Sequence, residues 1–257
     1  MRGFFLDWRR AGLALSTVTL IAGAPLGGCA TGPRWAYEGP DGPSAWGQLD
    51  PAYAACASGQ SQSPIDIVEV VPRDLPEVRF RYGTTPVRLT NTGRTVEQTV
   101  APGSSIAFGA MTFALETIQF HAPSEHRAAG QSFPMELQWV HRSARGHLAV
   151  VAVMVKEGRP NPALAMLLGR LPRTPGEETG AGPPLSLASL LPKAHTYIRY
   201  TGSLTTPPCW ENVQWLVLTE PLEASREQIA SFTALYPNNV RPVKPVGRRT
   251  VFFDATP

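Results

Sequence analysis

The stretch Thr117-Ile118-Gln119-Phe120-His121-Ala122-Pro123-Ser124-Glu125-His126 begins by alternating polar and apolar residues, and so does Glu136-Leu137-Gln138-Trp139-Val140-His141. A period of two is typical of half-buried β-strands. Gln119 and His121 then lie on one face of the first strand, and Gln138 lies on one face of the second. Buried polar side chains cost free energy unless they have partners. The two segments therefore predict either a hydrogen-bonded polar core or a functional site.

These segments belong to a series of motifs that runs through the chain. The other members are 35–46 (WAYEGPDGPSAW), 62–67 (QSPIDI), 89–93 (LTNTG), 200–209 (YTGSLTTPPC) and 239–245 (NVRPVKP). In content and order, the motifs resemble the α-class carbonic anhydrases over roughly residues 35 to 252. The resemblance implies a mainly β (α+β) single domain, with a central, twisted, mostly antiparallel sheet of about ten strands and short peripheral helices. It also implies CO₂ hydration at a zinc ion that three histidines hold.

The zinc ligands of the family are only partly present in this sequence. His121 matches the second ligand, whereas Gln119 and Gln138 stand at the positions of the first and the third. An amide offers a neutral oxygen, while Zn²⁺ favours nitrogen and thiolate donors. At the third position the family ligand binds through its near ring nitrogen, which a glutamine side chain overreaches. We therefore expect the family cofactor, Zn²⁺, to bind poorly and CO₂ hydration to be weak or absent.

Other positions of the family's site can be matched in the same way. Glu125 and Thr205 match the pair that orients the zinc-bound hydroxide. Arg94 occupies the position of a proton-shuttle histidine, and it cannot relay protons because arginine stays charged at any working pH. The residues that orient the metal ligands in the family match Glu136, Thr117 and Asn239. Glu136 could accept a hydrogen bond from the Gln138 amide. The pocket wall where CO₂ would lie matches Val140, Val150, Leu204, Thr206, Val213 and Trp215.

The remaining histidines do not replace the missing ligands. His126 and His141 match family positions outside the metal shell. His141 follows Gln138 by three residues, so strand alternation places it on the opposite face. His147 and His195 are predicted near loop or strand ends, at the surface.

The amino terminus predicts export. Three arginines flank an apolar run over 11–26, which ends in Leu26-Gly27-Gly28-Cys29. This pattern resembles a bacterial lipoprotein signal in which Cys29 carries the lipid. An ordinary secretory signal is the alternative, and a membrane-spanning helix is disfavoured because the run is short and interrupted by Gly and Pro. The predicted organisation is a signal peptide over 1–28, a tether over 29–34 and an α-carbonic anhydrase-like domain over 35–257.

Export also predicts the environment and the partners. The expected location is the bacterial cell envelope, with the protein anchored by lipid and facing the periplasm, or secreted. With Cys29 lipidated, Cys56 and Cys209 remain as an even pair in an oxidising compartment, and the family resemblance implies that they form a disulfide. Removing 1–28 removes three Arg and one Asp, which lowers the formal net charge from +3 to +1. Nucleic acid is therefore not an expected partner, whereas a membrane, through the lipid, and a small molecule such as CO₂ or bicarbonate are. No feature of the sequence predicts an oligomeric state.

Local patterns predict most of the secondary structure. Strands are predicted over 78–82, 87–89, 95–100, 111–121, 135–141, 148–155 and 213–218. The segment 148–155 is apolar on both faces and predicts a central strand. Helices are predicted over 163–169, after Pro162, and over 225–235, with Ser225 as its cap. The Pro- and Gly-rich segment 172–184 predicts a loop.

Three functions are compatible with these features. The first is a carbonic anhydrase-like binding protein in which Gln119, Gln138, His121 and Thr205 form a polar pocket floor for a small oxyanion, a sugar or a peptide group. The second is an active carbonate dehydratase that binds zinc weakly. The third is an envelope scaffold with no ligand. The replaced imidazoles favour the first over the second.

Overall fold

The computed structural model describes residues 34–254. The predicted signal peptide, the lipidation site Cys29 and the predicted tether up to residue 33 lie outside the described residues. Within 34–254, no helix combines the length and the apolar content that crossing a membrane requires.

The described residues form seventeen β-strands, which we number in chain order. They are β1 Asp66–Ile67, β2 Val71–Arg73, β3 Arg79–Arg81, β4 Thr84–Pro86, β5 Leu89–Asn91, β6 Val96–Thr99, β7 Ser105–Phe108, β8 Met111–His121, β9 Arg127–Ala128, β10 Gln131–Ser132, β11 Met135–Ser143, β12 Leu148–Glu157, β13 Pro184–Ser186, β14 Tyr197–Ser203, β15 Glu211–Leu218, β16 Leu222–Ala224 and β17 Phe252–Asp254. The α-helices are α1 Trp46–Leu49, α2 Ala55–Ser58, α3 Pro162–Leu168 and α4 Arg226–Thr233, and 3₁₀-helices span Gly39–Asp41, Pro51–Tyr53 and Leu187–Leu190.

Twelve of these strands form one twisted sheet. Its main path is β2-β17-β14-β15-β12-β11-β8-β6-β5, while β16 pairs with β12, and β7 joins β3 to β8. Most neighbours are antiparallel; β12 runs parallel to β15 and β16, and β17 runs parallel to β2. The predicted fold class, a large and mostly antiparallel sheet with short helices, is confirmed.

The middle of the sheet is the continuous apolar run predicted as a central strand. All eight residues from Leu148 to Val155 are buried, and β12 lies between β11 and β15. Alternate residues of β12 pack into different apolar clusters. Val151 and Val153 join the larger cluster with Phe120 and Trp139, whereas Val150 joins a smaller one that includes Trp215. The sheet therefore has apolar packing on both faces near its centre.

The predicted elements are close to the observed ones, with several differences. The strand predicted over 111–121 matches β8, and β11 and β12 extend two residues beyond their predicted ends. The strand predicted over 87–89 is displaced: β4 ends at Pro86 and β5 begins at Leu89. The central strand β14 was not predicted, because its sequence YIRYTGS lacks a regular apolar alternation and is ordered by pairing with β15 and β17.

The Ser225 cap predicted from the sequence and the disulfide implied by the family resemblance are both present. Ser225 forms a capping box at the start of α4, and the side chain of Asn161 accepts two backbone N–H groups at the start of α3. Cys56, in α2, forms the predicted disulfide with Cys209. The bridge joins the amino-terminal helices to the segment that follows Thr206.

Candidate functional site

The polar residues of the two quoted segments meet on one face of β6, β8 and β11. Gln119 is directly opposite Gln138, and His121 is opposite Glu136. On the other side of β8, Gln119 is opposite Glu97 of β6. Directly opposed residues on one sheet face lie close enough for their side chains to interact. Antiparallel pairing thus assembles this site from residues distant in sequence.

A cavity of about 220 Å³ lies against this face. Its wall contains most of the residues predicted for a pocket: Thr117, Gln119, Gln138, Val140, Val150, Leu204, Thr205, Thr206 and Trp215. Val213 is fully buried and packs behind this wall, in the smaller apolar cluster. The prediction missed four lining residues, which are Glu116, Arg142, Leu148 and Trp210. Trp210 is 58% exposed, so it stands at the solvent side of the cavity.

The amide of Gln138 is held by two buried carboxylates. Its Nε2 donates to Glu125 Oε2 at 2.8 Å and to Glu136 Oε1 at 3.0 Å. The hydrogen bond to Glu136 was expected from the sequence, and the one to Glu125 was not. Both N–H groups of the amide are therefore used, and its oxygen accepts no hydrogen bond from residues 34–254.

The amide of Gln119 is held by a residue that the sequence analysis missed. Its Nε2 donates to Glu97 Oε1 at 2.9 Å. Thr117, which was predicted in this orienting role, lines the cavity instead. Burial raises the pKa of the Glu97 carboxyl, and the hydrogen bond from Gln119 opposes that shift. Glu97 lies in the strand predicted over 95–100. Its alternation with Val96 and Gln98, which are buried, could have placed it on the face of the site.

His121 is fully buried, and its two ring nitrogens differ. Nδ1 donates to the backbone oxygen of Asn239 at 2.8 Å, because a carbonyl can only accept. The Asn239 side chain also accepts the backbone N–H of Ala122 at 2.9 Å. Nε2 has no hydrogen-bond partner in the described part of the chain, and the Glu125 Oε2 atom is 3.9 Å away. In the neutral ring this nitrogen is a hydrogen-bond acceptor, and no donor is bound to it within residues 34–254.

Glu125 and Thr205, the pair matched to hydroxide orientation, are not hydrogen-bonded to each other within 34–254. Glu125 Oε1 accepts the backbone N–H of Arg241 at 2.8 Å, and Oε2 accepts the Gln138 amide. Each Glu125 oxygen thus accepts a hydrogen bond from a residue other than Thr205. Thr205 is buried in the cavity wall.

Arg94 lies away from this cavity. Its Nε donates to the backbone oxygen of Trp35 at 2.9 Å, and its guanidinium carbon is 4.3 Å from the centroid of the Trp35 ring. The side chain lines a different cavity, of about 810 Å³, together with Tyr37 and Tyr236. Stacking on an aromatic ring stabilises a guanidinium in one orientation. The residue at the proton-shuttle position is therefore held outside the wall that contains Gln119.

A hydrogen-bonded chain supports Glu136 from behind. His126 Nδ1 bonds Glu136 Oε1 at 2.9 Å, and His126 Nε2 bonds the Tyr200 hydroxyl at 2.6 Å. Tyr200 in turn bonds Ser63 Oγ at 2.9 Å. Burial alone would raise the pKa of Glu136, but the neighbouring His126 outweighs it and the pKa is lowered. Glu136 is thus a buried carboxylate whose acceptor sites are used, which fixes the Gln138 amide.

The other histidines lie where strand alternation and loop position predict them. His141 is buried on the opposite face of β11 from Gln138, and its Nε2 bonds the Tyr82 hydroxyl at 2.8 Å. His147 and His195 are exposed. Among the described residues, no group of three or more His, Cys, Asp or Glu side chains is arranged to hold a metal ion. The donors at the three matched ligand positions are one imidazole nitrogen and two amide oxygens.

Comparisons with known proteins assign the family. Residues 41–255 match the family model of the eukaryotic-type carbonic anhydrases. The chain is 38% identical over 221 residues to the carbonic anhydrase of Pectobacterium carotovorum, covering 85% of this chain and 90% of the relative. The α-carbonic anhydrase of Thermovibrio ammonificans, solved with sulfanilamide, has a TM-score of 0.84 at 38% identity and covers 86% of this chain and 99% of its own. Dioscorin, solved with ascorbate, has a TM-score of 0.79 at 31% identity, covering 86% and 97%. The chain belongs to the α-carbonic anhydrase family.

Proposed function

We propose that this protein is an exported, lipid-anchored member of the α-carbonic anhydrase family whose pocket binds a small molecule and which hydrates CO₂ weakly or not at all. The proposal rests on the position and the hydrogen bonds of two side-chain amides. Gln119 and Gln138 stand at two of the three ligand positions, and each is tied by its nitrogen to a carboxylate. The pocket is retained in this family member, while its metal chemistry is not.

The residues at the site do not fit the zinc ion on which the family depends. A catalytic zinc of this kind needs three neutral imidazoles and one open position, and it then lowers the pKa of its bound water to about 7. Here the imidazole of His121 is the single nitrogen donor at the three positions, and amide oxygens are poorer donors for Zn²⁺. We therefore derive no catalytic step through zinc for this chain.

Two further contacts weaken a hydratase mechanism. The Glu125 oxygens accept the Gln138 amide and the backbone N–H of Arg241, and within residues 34–254 neither bonds the Thr205 hydroxyl. Arg94 is held against Trp35 and cannot exchange protons with solvent at working pH. Each change affects a different part of the reaction, so restoring one would not restore turnover.

A binding role agrees with the cavity that remains. Its floor presents the polar groups of Gln119, Gln138 and Thr205, and part of its wall is apolar, formed by Val140, Val150, Leu204, Trp210 and Trp215. Dioscorin, a relative with the same fold, has been solved with ascorbate. A member of this family can therefore hold a small organic molecule.

Zinc binding and CO₂ hydration test the proposal. The protein over residues 30–257 should contain far less than one zinc per chain after incubation with zinc and dialysis, and stopped-flow hydration should stay near the uncatalysed rate. The double variant Gln119→His and Gln138→His should bind about one zinc per chain. A matched control is Gln48→His with Gln131→His, because both side chains are exposed.

The outcomes separate the alternatives. Near-stoichiometric zinc with inhibitor-sensitive turnover in the unmodified protein would show a working carbonate dehydratase and overturn the proposal. A folded double variant that gains no more zinc than the control would mean that the matched ligand positions are misassigned.

The lipid anchor has its own test. In a bacterial host the full chain should be recovered in the membrane fraction, and Cys29→Ser should move most of it to the soluble fraction, since the lipid is attached through that sulfur. A substitution at Cys56 serves as the control, because that cysteine is in the disulfide. Continued membrane attachment of the Cys29→Ser protein would indicate an uncleaved amino-terminal segment.

A further inference from the structure

Three carboxylates surround the amides of the pocket floor. Glu125 and Glu136 are buried, and Glu97 is partly buried. Glu136 is paired with His126. Neither Glu97 nor Glu125 forms an ion pair with a lysine or arginine side chain within residues 34–254. The region therefore holds more negative than positive charge, which is costly in a buried setting.

Two arginine side chains near the carboxylates bond other groups. Arg142 lines the cavity and pairs with Glu116 at 2.7 Å. The backbone N–H of Arg241 donates to Glu125, but its guanidinium donates to the backbone oxygens of Ser63 and Cys56 at 2.8 and 3.0 Å. Its guanidinium bonds these backbone oxygens and interacts with the Glu125 carboxylate only through space. The side-chain hydrogen bonds to Glu97 and Glu125 therefore come from the neutral amides.

Among the free polar atoms of the floor, acceptors outnumber donors: one N–H of Gln119 and the Thr205 hydroxyl are the available donors within residues 34–254. Both N–H groups of Gln138 and one of Gln119 donate to carboxylates, which leaves the two amide oxygens without a donor in the described chain. His121 does not line the cavity, but it shares the sheet face of the two amides, and its buried, unpartnered Nε2 lies 3.9 Å from the Glu125 oxygen that Gln138 contacts. This orphan nitrogen points to a missing donor independently of the carboxylates.

A ligand for this floor must donate hydrogen bonds and is favoured by positive charge. An oxyanion brings further acceptors and is repelled by Glu97 and Glu125. A neutral alcohol can donate but does not offset the charge. An alkylammonium group carries three N–H donors and one positive charge. Its fourth substituent would leave toward the apolar wall, where Leu204 and the exposed Trp210 lie.

We infer that the cavity binds the ammonium group of a small primary amine, with the amide oxygens of Gln119 and Gln138 as acceptors and the Thr205 hydroxyl beside them. The inference rests on the proposed binding function and names its ligand class. Trp210 would contact the organic part of the amine at the cavity mouth, where an aromatic ring also attracts cations.

Three probes of one shape and different charge test the inference. Benzylammonium, benzyl alcohol and benzoate would be titrated calorimetrically into zinc-free protein at pH 7. Benzylammonium should bind about tenfold or more tightly than benzyl alcohol, because one charge near partly buried carboxylates is worth at least that much. Benzoate should show no measurable binding. Equal binding of the first two, or a preference for benzoate, would overturn the inference.

Two carboxylate variants test which side chain causes the preference for benzylammonium. Glu97→Gln keeps the shape of the group that holds Gln119 and removes its charge, so benzylammonium should bind about tenfold more weakly while benzyl alcohol changes by less than about twofold. The matched control is Glu116→Gln, an exposed carboxylate at the same cavity that is paired with Arg142 at 2.7 Å. The Glu116→Gln variant should change the affinity for benzylammonium and for benzyl alcohol by less than about twofold. Equal effects of the two variants would contradict the assignment. Thermal melts establish that both are folded, and the probe series on the unmodified protein is decisive without them.

Failure of this inference is distinguishable from failure of the proposed function. Stoichiometric zinc and CO₂ turnover in the unmodified protein would overturn the proposed function whatever the amine result. A zinc-free, inactive protein that prefers benzyl alcohol or benzoate would overturn the ammonium assignment and leave the non-catalytic proposal in place.

Discussion

Two buried histidines lie on opposite faces of the β8–β11 strand pair, and their surroundings differ. His121 lies on the same sheet face as Gln119 and Gln138, 3.9 Å from a carboxylate oxygen, and its Nδ1 donates to a backbone carbonyl. His141 faces the large apolar cluster, where Tyr82 stacks on Trp139 and bonds the His141 ring. The pocket face is built from paired polar groups, while the other face is built from aromatic and aliphatic packing.

The comparison shows how one pair of strands serves two purposes. On the apolar face, Phe120 and Leu137 are fully buried and stabilise the fold by packing. On the pocket face, Gln138 and Glu136 are just as buried, yet each is stabilised by hydrogen bonds to other polar groups. The nitrogens of the two amides at the matched ligand positions are held by carboxylates.

The largest expected effect is on the apolar face. Phe120→Ala removes a fully buried ring that packs 5.7 Å, between centroids, from Phe232. The free energy of unfolding should fall by about 3–5 kcal/mol, because a cavity remains where the ring was. Guanidinium denaturation measures it. A loss below about 1 kcal/mol would mean that the two faces do not differ as described.

On the pocket face, the expected effect is smaller and has a different origin. Glu136→Gln keeps the volume but removes an acceptor for His126 and Gln138, so the free energy of unfolding should fall by about 2–3 kcal/mol. Chemical denaturation at pH 7 measures the change. Glu116→Gln is the control. Because it removes a carboxylate from a solvent-accessible ion pair, the free energy of unfolding should fall by less than about 1 kcal/mol. Similar losses in the two variants would show that the buried network contributes little.

The smallest effect sharpens the contrast between the two histidines. Burial lowers the pKa of His141 from 6.5 to about 3 in the folded state. Between those values the unfolded chain binds more protons, so the stability that neutral His141 contributes is present above pH 6.5 and is lost as the pH falls toward 3. His141→Gln should remove about 1–2 kcal/mol of the stability loss seen between pH 7 and 5.

Urea denaturation at the two pH values measures this difference. His147→Gln is the control, since this histidine is exposed. If the control changes the pH dependence as much as His141→Gln does, the acid sensitivity does not come from the apolar face.

The strands that assemble the site were predictable to different degrees. β8 and β12 carry strong local patterns, and their positions in the sheet followed from alternation and from the continuous apolar run. Strand β14 was missed, because Arg199, Thr201 and Ser203 interrupt its apolar pattern and its order depends on pairing with β15 and with the distant β17. Local sequence does not contain the pairing that orders such a strand.

The same distinction applies to the site. The motifs identified the family and matched Gln119 and Gln138 to two ligand positions, and most residues predicted for the pocket wall line the cavity. Tertiary structure decided what those amides do: Glu97 holds one, Glu125 and Glu136 hold the other, and Arg94 is drawn to Trp35. The physical reason is that the type of a side chain is written in the chain, whereas its hydrogen-bond partner depends on strand register and burial.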